Sequence, residues 1–411
     1  MTTIADPAAH GFSRSRLDRI APFLAENYVA PGKLPFAQIL IARDGEPIYR
    51  ADLGAMRADG TPVREDAIVR IASMTKPVTS IVFMQLVEEG KVALDDPVAR
   101  IIPEFEGLGV YAGGGGAMPF LPGTPAPAMR MVDLLTHMAG LTYGFQNRTS
   151  IDAALRDVLP DGGRDIPGDD HFVAELAKLP LEFAPGTSWN YSVATDVLGV
   201  VIARIEGKPL GEVFEERIFA PLGMADTGFE MAEGHRDRLA DCWALTPGGT
   251  LKVIDHGATS KLTQPAAFHN GGGGLVSTVQ DYHRFCRMLV GGGTADGVRI
   301  VSPKTLSLMT GNYLPGGADL ASTSRSLFSE STNAGVGFGL GFAVMLDPAK
   351  ALLPGSVGEF YWGGMFSTAF FIDPVERLHM VFMTQLSPSS AYPVRRQLKT
   401  LIYAALEDSY A

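Results

Sequence analysis

The chain has 411 residues, 46% of them hydrophobic and 19% charged, enough apolar material for a large core and unlike the composition of a disordered chain. Lys plus Arg number 34 against 45 Asp plus Glu, a net charge of −11 that opposes nonspecific binding to nucleic acid or to an anionic membrane. The two cysteines, Cys242 and Cys286, make no metal-ligand pattern; they could pair, but in a cytoplasmic protein they read as buried free thiols.

Residues 1–12 hold no basic stretch followed by an apolar core, and no later segment is apolar for long enough to cross a bilayer. The expectation is a cytoplasmic protein with no membrane partner. Leu17, Ile20, Leu24 and Tyr28 predict an amphipathic helix with Ser13 as its cap. A strand over 36–43, a tight turn at Asp44-Gly45 and a second strand over 46–53 predict a hairpin. Residues 102–129 are rich in glycine and proline and read as an irregular loop, either a surface excursion or a lid.

Helices are expected over 131–138, closed by Gly140, over 172–179, 193–205 and 211–219, then over 279–290 and from Pro303 to Met309. His137, in the first of these, reads as a structural hydrogen-bonding group or as a base. The glycines of Asn270-Gly271-Gly272-Gly273-Gly274 are not followed by Lys-Ser/Thr, so close backbone approach explains them better than a phosphate cradle. Residues 341–346, 366–372 and 378–385 read as an antiparallel meander, and 394–406 as a final helix. Strands therefore lie at both ends with helices between them, an α/β (α+β) chain with one antiparallel sheet assembled from both termini and an inserted helical lobe. The expected division is 1–72 with 275–411 as the sheet domain and 73–274 as the mainly helical one, with a cleft between them.

The stretch that carries chemistry is Arg70-Ile71-Ala72-Ser73-Met74-Thr75-Lys76-Pro77. If a helix begins near Ser73, its hydroxyl and the Lys76 amine share one face, three residues apart. Pro77 is tolerated in a first turn, where its missing amide hydrogen would have no partner. Val78, Ile81, Val82 and Leu86 continue a buried helix that stops at Gly90. Ser73 then sits at the positive end of the helix, where negative charge developing on an attacked carbonyl is favoured.

A Ser-x-x-Lys spacing alone is a weak signal, and its partners decide. There is no Gly-x-Ser-x-Gly elbow, no His-Glu-x-x-His helix and no cysteine/histidine ligand spacing, so neither an α/β-hydrolase nor a zinc hydrolase is supported. An amine of ordinary basicity, with a pKa of about 10.4, is protonated and needs a second group to work as a base. Tyr191, in Trp189-Asn190-Tyr191-Ser192-Val193 before a helix, can supply a phenol or can simply pack on the helix start. In Tyr361-Trp362-Gly363-Gly364-Met365, read as opening the strand 366–372, two glycines let the backbone approach a ligand or form a bulge. The Met365 amide can then join the Ser73 amide in holding an oxyanion.

These segments in this order resemble the serine β-lactamase and DD-peptidase superfamily, most closely the family VIII carboxylesterases that look like class C β-lactamases. Leu134-Leu135-Thr136-His137-Met138-Ala139-Gly140, Phe183-Ala184-Pro185-Gly186, Pro221-Leu222-Gly223-Met224, Gly272-Gly273-Gly274-Leu275 and Gly337-Phe338-Gly339-Leu340-Gly341 extend the likeness along nearly the whole chain. The resemblance implies an acyl-enzyme on Ser73, Lys76 and Tyr191 as joint acid and base, an oxyanion hole from the Ser73 and Met365 amides, and no metal or cofactor. Where β-lactamases carry Lys-Thr/Ser-Gly this chain has Trp362-Gly363-Gly364, and where they carry Tyr-x-Asn it has Tyr191-Ser192-Val193. An indole and a valine favour an apolar, uncharged ester. Tyr143, Phe145 and Phe366 are further candidates for the pocket wall. The alternatives are a β-lactamase, an amidase or peptidase, or an acyltransferase on the same fold, and, in another class, a non-catalytic penicillin- or peptidoglycan-binding module.

Overall fold

The computed structural model describes residues 2–158, 163–325 and 333–411. Its centre is a seven-stranded antiparallel sheet of β1 (Phe36–Arg43), β2 (Glu46–Gly54), β3 (Val336–Phe338), β4 (Ala343–Met345), β5 (Phe360–Gly363), β6 (Ala369–Asp373) and β7 (Leu378–Met383). The order is β2-β1-β7-β6-β5-β4-β3, so the N-terminal hairpin joins the sheet through the last strand in sequence. Every residue of β1 and of β7 is buried, because helices cover both faces. Consecutive residues of β6 show the two layers: the Phe370 ring lies 5.2 Å from Tyr282, and the Phe371 ring 5.9 Å from Tyr403.

Four helices bear on the site: α1 (Thr75–Glu88), α2 (Ala194–Glu206), α3 (Val279–Val290) and α4 (Val394–Ala404). Residues 74–84 are all buried, so α1 is a central helix without a solvent face. Gly90 follows α1 at φ +70 and Gly207 follows α2 at φ +64, the left-handed stops expected from sequence. Thr278 caps α3 by accepting from the Asp281 amide, and Ser302 caps the helix Pro303–Met309 by accepting from Thr305.

Several elements differ from expectation for local reasons. The N-terminal helix divides into Arg14–Leu17, Ile20–Leu24 and a wide turn at Ala25–Val29. Pro22 cannot donate to the turn before it and its ring crowds the carbonyl of residue 18, which breaks the helix there. Ser13 occupies the cap position without a side-chain hydrogen bond to the helix. The helix Met131–Leu135 stops short of His137, which takes φ +57. Tyr361, Trp362 and Gly363 end β5 rather than opening the next strand, and Phe366 lies in the connecting turn before β6. Residues 242–255, expected within the helical middle, contribute strands Cys242–Leu245 and Leu251–Asp255 to a small sheet completed by Leu386–Ser387. Their alternation is too short to read from sequence alone. Cys242 and Cys286 are both buried and free.

Candidate active site

Ser73 is reached by way of a strained residue. Ala72 holds φ +45, a left-handed conformation that costs an alanine about 1–2 kcal/mol. The chain is fastened on every side of it. Val69–Arg70 pairs with Val276–Ser277, the Ile71 amide donates to the Leu275 carbonyl at 3.0 Å, and the Tyr282 hydroxyl donates to the Met74 carbonyl at 3.0 Å. From 71 to 84 only Ser73 escapes full burial. The strain therefore turns one hydroxyl out of a buried segment.

Three side chains meet there. The Tyr191 hydroxyl donates to Ser73 Oγ at 2.6 Å and Lys76 Nζ stands 3.4 Å from the same oxygen. Lys76 Nζ also lies 4.7 Å from the centre of the Tyr191 ring. Lys76 is 1% exposed, so the hydrogens on its nitrogen must be answered by protein. The Gly272 carbonyl accepts one at 2.5 Å and the Tyr143 hydroxyl another at 2.9 Å.

Behind Lys76 is a carboxylate. The Tyr143 hydroxyl donates to Asp196 Oδ2 at 3.1 Å, and the Gly272 amide donates to Asp196 Oδ1 at 3.0 Å. Asp196 lies in the first turn of α2, 1% exposed. Burial pushes its carboxyl above the usual range, while the positive Lys76 pulls the other way. The Tyr143 phenol is held well above its ordinary value, first by burial and then by the charge on Asp196. A Cβ on Gly272 would stand 2.6 Å from Asp196 Oδ2, so the peptide that bridges Asp196 and Lys76 needs glycine. The glycines of 270–274 thus mark close backbone approach, as expected.

Tyr191 is held from the 137–143 segment. The Asn190 amide donates to the His137 carbonyl at 3.0 Å and the Val193 amide to the Thr142 carbonyl at 3.2 Å. His137 Nδ1 is 3.2 Å from Ser192 Oγ, and its ring lies 5.0 Å from that of Tyr191. Burial, with Lys76 nearby, holds this imidazole well below its ordinary pKa. It is a neutral structural group beside Tyr191.

The opposite wall is the β5–β6 turn. A Cβ on Gly364 would meet the Ile71 carbonyl at 2.4 Å and Thr368 Oγ1 at 2.3 Å, so only glycine lets this turn lie against the nucleophile's own segment. The Thr368 hydroxyl donates to the Ile71 carbonyl at 3.3 Å. Ser73, Tyr191, Trp362, Gly363, Gly364 and Met365 line one cavity of about 160 Å³. Its other walls include Trp189, Leu320, Tyr361 and Phe370.

The remaining pocket candidates fall elsewhere. Tyr143 belongs to the Lys76 network rather than the cavity wall, and Phe145 stacks on it at 4.9 Å with 47% of its surface exposed. Val193 is completely buried at the start of α2. Phe366 sits in the turn, where its carbonyl accepts from the Leu386 amide at 3.0 Å. No residue of 102–129 lines the cavity. Motifs alone do not reveal Asp196; its one signal in the sequence is a lone acid on an otherwise apolar stretch of helix.

Among the described residues no helix is long and apolar enough to cross a membrane. Protein Rv1367c of Mycobacterium tuberculosis is 40% identical over 335 residues, 80% of either chain. Esterase EstB of Burkholderia gladioli is 31% identical over 420 aligned residues, 97% of this chain and 98% of that one. Among solved structures, EstCE1, described as a hydrolase with promiscuous acyltransferase activity, superposes with a TM-score of 0.75 at 25% identity, covering 95% and 98% of the two chains. Residues 24–404 match the beta-lactamase family, and with the antiparallel sheet and its helices in place the chain belongs to that family.

Proposed function

We propose that the protein is a serine carboxylesterase acting on short-chain or aryl esters. The observation that carries this is the approach of Tyr191 Oη to Ser73 Oγ at 2.6 Å, with Lys76 Nζ at 3.4 Å, on an aromatic-walled cavity. Ser73 Oγ attacks the ester carbonyl while its proton passes to the Tyr191–Lys76 pair, which accepts it with Lys76 as the uncharged amine or with one proton shared between amine and phenolate. The Ser73 and Met365 amides receive the oxyanion; Met365 N–H has no acceptor among the described residues and Met365 lines the cavity with Ser73. As the carbonyl reforms, the C–O bond to the alcohol breaks and the pair returns the proton to the departing oxygen. Water then repeats the cycle on the acyl-enzyme and releases the acid.

Trp362 stands where the resembling β-lactamases carry a cation, so an uncharged group suits the face this indole gives to the cavity. On this reading the division at 72/73 and 274/275 separates a sheet domain from a mainly helical one, the protein works in the cytoplasm, and its partner is a small-molecule ester. The relationship to EstCE1 supports a second reading, transfer of the acyl group to an alcohol instead of water. A p-nitrophenyl ester series with Ser73→Ala tests the first: hydrolysis undiminished in the variant overturns it. Ester, amide and β-lactam rates compared with and without added alcohol separate hydrolase from transferase, and a non-catalytic binding module would turn over none of them.

A further inference from the structure

We propose that Arg395 is a positioning residue that fixes and polarises the peptide supplying the second oxyanion donor; the proposal rests on the esterase reading above. Arg395 is the second residue of α4. Its Nη2 donates to the Gly364 carbonyl at 2.6 Å and to the Thr368 carbonyl at 2.8 Å. The same two carbonyls close the β5–β6 turn itself: Gly364 C=O accepts from the Ser367 amide at 3.1 Å, and Thr368 C=O accepts from the Gly364 amide at 2.9 Å.

The Gly364 carbonyl and the Met365 N–H are opposite ends of one planar trans peptide group. Holding the oxygen end therefore sets the direction of the N–H end. A permanently charged guanidinium on that oxygen also draws electron density along the amide, which makes the N–H a stronger donor. This is the end that faces a developing oxyanion. A neutral turn would orient the peptide without polarising it.

Gly363 has a place in the same device. A Cβ there would stand 2.9 Å from Arg395 Cζ, so the guanidinium can seat against the strand only because residue 363 has no side chain. Gly363 and Gly364 thus serve two different approaches, Gly363 toward Arg395 and Gly364 toward Ile71. Arg395, Gly363, Gly364, Met365 and Ser73 share the wall of one cavity.

The test compares Arg395→Met and Arg395→Lys with the parent enzyme. For p-nitrophenyl butyrate, Arg395→Met is expected to lose about tenfold or more in kcat with KM changed by less than about twofold, the pattern of an interaction made in the transition state. The fraction of molecules labelled by a p-nitrophenyl phosphonate, counted by intact mass, stays at the parent value, and Arg395→Lys recovers part of the rate. With selective 15N-methionine labelling, the Met365 cross-peak, identified by its loss in Met365→Leu, moves upfield in Arg395→Met by more than the other methionine amides. A kcat within about twofold of the parent, a loss confined to KM or to the labelled fraction, or a Met365 resonance that does not move, overturns the proposal. If Arg395→Met does not fold, Arg395→Gln, which keeps a donor but removes the charge, decides by the same resonance and the same kcat. Failure of the esterase reading looks different: the parent itself hydrolyses no ester, or Ser73→Ala hydrolyses as well as the parent.

Discussion

Three neutral histidines buried in the fold make its stability fall on the acid side of neutrality. His137, His283 and His379 are 1%, 2% and 0% exposed. His283 Nδ1 and His379 Nε2 are 2.8 Å apart, an arrangement in which one imidazole donates and the other accepts. Burial depresses the His283 pKa to about 3, with Arg287, Arg284 and Arg50 adding repulsion, and burial, followed by the repulsion two protonated rings would feel and by Arg287, holds His379 well below its ordinary value. A base with a depressed folded pKa binds fewer protons folded than unfolded, so stability rises with pH and is lost as pH falls below the unfolded value of about 6.5. Between pH 7 and pH 5 each such histidine costs about 2 kcal/mol, hence about 6 kcal/mol for the three. At the unfolding entropy typical of a chain this long, that is a fall in Tm of about 7 °C. Buried carboxyls with raised pKa values, Asp196 and Glu359 among them, take up protons earlier in the folded state and act in the opposite sense. The assay that isolates the histidines is therefore a difference: Tm at pH 7 and pH 5 for the parent and for His283→Gln with His379→Gln. The double variant should lose about 4 kcal/mol less over that interval. Equal pH dependence in the two proteins would refute the reasoning.

Tyr143→Phe keeps the ring that stacks on Phe145 but removes the hydroxyl joining Lys76 to Asp196; kcat for a p-nitrophenyl ester should fall by about 10–100-fold with little change in KM, measured by steady-state kinetics. Lys399→Met leaves the completely buried Glu359 without the cation that donates to it, and should cost about 3–5 kcal/mol in denaturant unfolding. Adding Glu359→Gln to that variant should recover part of the loss, because an uncharged amide is cheaper to bury than a lone carboxylate.

Much of the architecture was legible because it depends on short-range patterns. The hairpin 36–54 follows from two strand-length runs about the Asp44-Gly45 turn, and α2 from an apolar run stopped at Gly207. The Ser73–Lys76 spacing was legible for the same reason, since three residues on a helix are one turn. The split of the first helix at Pro22 was also in principle readable, and the hydrophobic period masked it.

What the linear chain could not decide is set by contacts between distant segments. Asp196 is a lone acid on the apolar first turns of α2 until Gly272, 76 residues later, lays its amide against the carboxylate and its carbonyl against Lys76. Tyr143 looks like a pocket aromatic until the same fold makes it the link between them. The Trp362-Gly363-Gly364 segment reads as a strand opening from its composition, yet Trp362 and Gly363 close β5, because hydrogen-bond pairing of 360–363 with 369–372 places the turn at 364–368. Local sequence determined which residues could form helices, strands and a hydroxyl–amine pair. Only tertiary packing, by excluding water from Lys76 and requiring that each of its hydrogens find an acceptor, decided which residues surround that pair.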